Sequence, residues 1–205
     1  MNLKFYYKTL ISYQKIIAGI TFFLLGLLLT LPVHAYNLTG SIGKFDPNDG
    51  LVRDLFESSF VYSLRLGIPH NPTLDWTVTG VLQQLQSRFS DLESEIDLIG
   101  INVGFEKRFP EASETEYQIT PFMGAGLSIL SISEILENEK KESKSSQDPD
   151  ITGGVYWEMG LLVPFKWLSS SWIEAKLTDQ NIEKNILGNI HLGGKTTSIG
   201  FRKTF

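Results

Sequence analysis

The sequence predicts an all-β protein: an eight-stranded antiparallel up-and-down transmembrane β-barrel, preceded by a cleavable signal peptide. Three observations lead there. From Tyr36 onward apolar residues recur at every second position, which is the period of a strand. The links between the alternating segments run long, short, long, short, as the two rims of such a barrel require. The first 35 residues carry a different pattern, an uncharged apolar run behind a few lysines.

Residues 1–35 read as the export signal and residues 36–205 as the barrel domain. Up to Lys15 the only charges are Lys4, Lys8 and Lys15, and Ile16 to Val33 carries none. Pro32 breaks this run as a helix, and Val33-His34-Ala35 presents what a signal peptidase reads, so cleavage is expected after Ala35. A run of this length is at the lower edge of what spans a bilayer as a helix, which makes an uncleaved anchor the alternative. Beyond Ala35 there remain 15 basic against 23 acidic side chains.

The strands follow in order. Tyr36 to Phe45 begins the alternation. Phe60, Tyr62, Leu64, Leu66 and Ile68 then face one way, with Ser59, Ser63, Arg65 and Gly67 facing the other. Trp76, Val78, Gly80 and Leu82 oppose Asp75, Thr77, Thr79 and Gln83. Ile99, Ile101, Val103 and Phe105 oppose Gly100, Asn102, Gly104, Glu106 and Arg108. Val155, Trp157, Met159, Leu161, Val163 and Phe165 oppose Thr152, Gly154, Tyr156, Glu158 and Gly160. Tyr117 to Leu130, Ser171 to Asn181 and Gly194 to Phe205 complete the eight. Long polar links lie near 46–56, 85–94, 131–150 and 181–193, and short ones near 69–73, 110–116 and 166–170. The stretch 131–150, charged and Ser-rich, is expected to be a mobile solvated loop.

A soluble lipocalin-like barrel or a β-sandwich alternates too, with its apolar face inside. Three features favour the membrane barrel. The polar face sets Gly, Ser and Thr among charges of both signs, and Arg65, Glu106, Arg108, Glu158, Glu174, Lys176 and Arg202 are expected to form a polar network closing a narrow lumen. Trp76, Trp167 and Trp172 lie near the short links, where an interfacial girdle belongs. The chain also ends on Phe205, straight after an alternating strand.

On the last strand, TTSIGFRKTF, and on PFMGAGLSI at 121–129 and GGVYWEMGLLVPF with IEAKLTD between 153 and 179, the chain resembles the small eight-stranded Gram-negative outer-membrane barrels of OmpA-like or OmpW-like build. The resemblance implies integral outer-membrane localisation, contact with outer-membrane lipid and lipopolysaccharide, and Phe205 as the assembly signal read by the barrel assembly machinery. Phe201 and Ile199 fit that signal, whereas Lys203 stands where an apolar residue is commoner. It implies no single activity, since such barrels include adhesins, anchors, small channels and lipid-modifying enzymes.

Chemistry is sparse. With no cysteine there is no disulfide framework, thiolate metal site or catalytic thiol. The acidic balance argues against a nucleic-acid partner. A lipid A deacylase of this class carries His and Ser two apart on a late strand; here Lys176 and Thr178 occupy the corresponding places, and a charged lysine is a poor base. Asp46, Asn48, Asp49 and Gly50 faintly suggest calcium ligation, but these are also ordinary turn residues. The expectation is therefore no catalytic, cofactor or metal site, in a non-enzymatic surface or structural protein whose role lies in its long loops. A narrow channel for small hydrophobic molecules is the alternative, resting on inward-facing Leu130 and Leu162. A lipid A deacylase and a soluble lipophile-binding barrel stand further back. No surface ligand can be read.

Overall fold

The computed structural model describes residues 36–55, 59–86, 93–109, 118–137, 145–146, 150–165, 167–182 and 193–205. The signal-peptide reading and the cleavage after Ala35 lie outside the described residues. Eight long strands follow one another: β1 (Asn37–Pro47), β2 (Ser59–Asn71), β3 (Leu74–Gln86), β4 (Glu93–Arg108), β5 (Thr120–Glu137), β6 (Asp150–Pro164), β7 (Ser171–Ile182) and β8 (Gly194–Thr204). Each pairs antiparallel with its neighbour in sequence. β8 returns to β1, from Pro47↔Gly194 to Asn37↔Thr204, so the sheet closes on itself and these strands leave no edge.

The connections sort the two ends. β2 turns into β3 through Pro72 and Thr73, with Asn71 Oδ1 accepting from Thr73 N at 3.0 Å and Thr73 Oγ1 at 3.2 Å, an Asx turn. β6 turns into β7 at Trp167–Ser170, with Phe165 N donating to Ser171 O at 2.8 Å. Both chain ends of the barrel lie at this short-turn end, where Phe205 N donates to Tyr36 O at 3.0 Å and the two rings stack 5.0 Å apart. The long connections leave from the other rim. The first contains a short helix, α1 (Gly50–Leu55), tied by Asn48 N to Gly193 O at 3.0 Å.

Burial is inverted relative to a soluble barrel. Leu127, Phe60 and Ile129 on the outer face are 65, 61 and 60% exposed, whereas Glu106, Glu174, Arg65 and Arg202 on the inner face are 1 to 2% exposed. Apolar side chains turned outward around charged side chains turned inward make a transmembrane barrel and exclude the soluble alternatives. Within the described strands, the alternation places the residues set in opposition above on the side their parity gives. Leu66, on the outward parity between Leu38 and Val78 in register, is nonetheless buried.

Two expectations need correction. Residues 131–137 are not loop: β5 runs on to Glu137, paired with β4 as far as Glu93, and Ser145–Ser146 adds a further pairing to Ile135 and Leu136. The alternation continues through Leu130 and Ile132 with its apolar side turned inward, which a polar composition masks. The stretch 46–56, read as a long polar link, holds α1. Trp172 is not on the outer girdle; it follows the inward parity of Glu174 and lines the lumen mouth, while Trp76 does face outward.

The belt yields a depth-dependent prediction. Leu127→Arg, in the middle of the outer face, is expected to lower unfolding free energy in phospholipid vesicles by about 2–4 kcal/mol, whereas Ile151→Arg, near the long-loop rim, costs about 0–1 kcal/mol. Equal costs in urea titrations would place the belt elsewhere.

Candidate functional site

The lumen is a stack of four layers. Nearest the short-turn end, Arg108 Nη2 pairs with Asp75 Oδ1 at 2.7 Å, and Asp75 Oδ2 accepts from Asn37 Nδ2 at 2.6 Å. Thr204 Oγ1 donates to Asn37 Oδ1 across the β1–β8 seam, so this layer links four strands.

The second layer contains six of the seven charges read from the sequence. Arg65 Nη1 donates to Glu106 Oε2 at 2.8 Å and Glu158 Oε1 at 2.7 Å, and its Nη2 binds Glu174 Oε1. Arg202 holds both oxygens of Glu106, Nη1 on Oε1 and Nη2 on Oε2, each at 2.7 Å. Its Nε and Nη2 also reach Glu174 Oε2, at 3.1 and 2.6 Å. Lys176 Nζ lies 3.1 Å from Glu158 Oε2 and 3.7 Å from Glu174 Oε1. Two forked guanidiniums between three carboxylates satisfy directional donors in a way point-like lysines would not. The fully buried Phe122 ring lies 5.7 Å from Arg65 Cζ and 5.4 Å from Arg202 Cζ, so the cations are held against a π face as well.

This layer needs local space. A methyl at Gly160 would stand 2.6 Å from Phe122 Cζ, and one at Gly126 would stand 2.7 Å from Tyr156 Cε1, so Phe122 and Tyr156 each lie over a glycine. Above it, the third layer is a cavity of about 40 Å³ walled by Ser63, Thr79, Asn102, Tyr156 and Thr178, with Glu158 and Lys176 as floor. Gln180 Nε2 donates to Ser128 Oγ at 2.8 Å and Ser41 pairs with Ser63 at 2.6 Å along its walls.

The fourth layer, at the long-loop end, is apolar. Phe45, Val61, Leu85, Leu98, Leu130, Ile132 and Ile182 converge there, and α1 lowers Val52 among them until it is 1% exposed. Arg53 anchors the helix, with Nη2 on Pro47 O at 2.8 Å and Nε 3.2 Å from Asp46 Oδ1. Asp46, one of the residues that suggested calcium, is thus engaged in a surface ion pair.

Sequence reasoning placed Arg65, Glu106, Arg108, Glu158, Glu174, Lys176 and Arg202 on one face; the structure joins all but Arg108 in one network and seats Arg108 on Asp75 in the adjoining layer. Asp75 was missed as a site residue, although the seven carry four cations against three carboxylates, an imbalance that points to an eighth group on the same face. Phe122 and the apolar layer were also missed. Phe205 is exposed at the seam, stacked on Tyr36.

No family model and no curated protein sequence matches the chain. Among solved structures, OprG, an outer membrane protein from Pseudomonas aeruginosa, aligns with a TM-score of 0.61 at 14% identity over 83% of this chain and 95% of that one. Neisserial surface protein A aligns with a TM-score of 0.55 at 17% identity over 83% and 97%. The fold of this chain is that of the small eight-stranded outer-membrane barrels.

Breaking the network by one member strands buried charge. Arg202→Met leaves Glu106 and Glu174 short of donors and is expected to cost about 3–5 kcal/mol of unfolding free energy. Arg202→Met combined with Glu106→Met should lose less than the two single changes summed, because the double variant removes a charge pair instead of stranding it. Additivity in urea titrations would show that the two groups do not act together.

Proposed function

We propose that the protein is a non-enzymatic integral outer-membrane barrel, closed to bulk diffusion, whose role is structural or at the cell surface and is carried by the long connections. One observation supports this above the rest: the ion-paired layer fills the lumen at the level of the apolar belt. A solute crossing there would have to pull apart groups that are 1 to 9% exposed and held by several charge-assisted bonds each. The non-enzymatic part is supported by Lys176, which stands where a deacylase of this class carries its His and whose Nζ is engaged 3.1 Å from Glu158 Oε2 and 3.7 Å from Glu174 Oε1.

Purified protein in planar bilayers is therefore expected to give no large, stable conductance; a steady open state of that kind overturns the closed-lumen reading. Lipid A incubated with the protein should keep its acyl chains by mass spectrometry, and their release would overturn the non-enzymatic one.

A second reading, a path for small hydrophobic molecules, has one feature in its favour: the apolar fourth layer, which includes Leu130. On this reading Val52 occupies the entry and the charged layer blocks the direct way out, so a molecule would have to leave through the wall. Uptake of small hydrophobic compounds separates the two readings. Cells with and without the protein should take them up equally if the lumen is closed, and Val52→Ala should speed uptake if it is a path.

We further propose that Phe205 serves as an assembly signal. The stack on Tyr36 also gives it a part in closing the seam, so deletion of Phe205 is expected to reduce the heat-modifiable, folded form in outer-membrane fractions while leaving synthesis unchanged.

A further inference from the structure

We propose that the lumen mouth at the short-turn end binds a small ligand presenting a carboxylate beside an apolar group. A recess of about 190 Å³ opens there among Asn37, Arg108, Thr120, Leu162 and Trp172, with Arg202 at its back. Pockets for drug-sized ligands begin at roughly 300 Å³, so the occupant has to be small. Leu162 is 3% exposed and Trp172 turns inward from β7, and together they make an apolar wall opposite the polar groups.

The two arginines of the recess differ in what they have left to give. Every nitrogen of Arg202 already donates to Glu106 or Glu174, through four hydrogen bonds in all. Arg108 differs. Its Nη2 binds Asp75 Oδ1 at 2.7 Å, but its Nε is buried without a hydrogen-bond partner. Asp75 does not complete the fork: its other oxygen is turned to Asn37 Nδ2 at 2.6 Å. A guanidinium is always charged, and a buried N–H of such a group binds an anionic acceptor more strongly than a neutral one. A carboxylate is the planar acceptor that this geometry suits. Lys107 and Lys203 stand on the same rim, with Nζ on Thr73 Oγ1 at 3.1 Å and Ser169 O at 2.5 Å, and add positive potential at the entry.

The link 110–116 carries Glu111, Glu114 and Glu116 in sequence, so a carboxylate of the chain itself is the competitor that the experiment has to separate. The test is NMR of the full chain in lipid nanodiscs with butanoate, butanamide and butylammonium as probes. Butanoate is expected to give saturable shifts at the Trp172 indole N–H and the amides of Arg108 and Thr120. The other two probes should bind at least tenfold more weakly, and none should shift the outward Trp76 and Trp157 indoles, which report partition into lipid. Arg108→Gln should abolish saturation. Because Arg108 also holds Asp75, Leu162→Trp is the second variant: it fills the recess without touching the ion pair and should abolish saturation as well. Equal binding of butanoate and butanamide, no saturation, or unchanged binding in Leu162→Trp overturns the proposal. So does butanoate binding that emerges only after Glu111, Glu114 and Glu116 are all changed to Gln, since the recess is then served by the chain's own carboxylate.

Discussion

A closed tube of eight strands has an interior just wide enough for side chains to fill, and what fills it here is charge. Four cations, Arg65, Arg108, Lys176 and Arg202, meet four carboxylates, Asp75, Glu106, Glu158 and Glu174, in two adjoining layers. Removing eight charges from water is tolerable only when each is matched, and a single omission leaves an uncompensated ion in a medium that cannot solvate it. Much of the remaining inner face serves that condition. Gly160 makes room for Phe122, Phe122 backs both central guanidiniums, and Asn37 and Thr204 tie the outer pair across the seam. The outer face answers the opposite requirement, with Leu, Ile, Val and aromatic side chains offered to lipid, so that the wall needs no core of its own.

The parity of the strands was legible because a strand has only two faces and a one-residue slip exchanges them wholesale. Arg65 among Leu64 and Leu66, or Glu106 between Phe105 and Lys107, therefore declares its side without any knowledge of partners. The partners were not legible, because register between strands is set by long-range closure; nothing local says that Arg65 on β2 meets Glu174 on β7. The rim was misread for a different reason. Above the belt the outer face meets water and the inner face becomes apolar, so the same alternation changes meaning at Leu85, Leu98 and Ile132. Read as one continuous pattern it fades into an apparently polar loop, which is how the end of β5 was lost. Trp172 was assigned by its distance from a turn, where parity with Glu174 was the better guide.

The layered lumen also gives one described segment at the long-loop rim a place to bind. The wall closes on backbone pairing and the middle of the lumen on ion pairs, and neither uses the rim. At the long-loop rim, the described part of the β1–β2 connection is tied down by side chains: α1 gives Val52 to the apolar layer and Arg53 to Pro47 and Asp46. Burying one valine among Phe45, Leu85 and Leu130 is worth about 1.5–3 kcal/mol, comparable to what a six-residue helix lacks when left to itself, since so short a helix does not form alone in water. α1 therefore exists because the lumen offers it an apolar seat. A substitution that enlarges or charges that seat would release the helix before it disturbed the strands, and the surface presented at the long-loop end would change while the ion-paired layer beneath stayed in place.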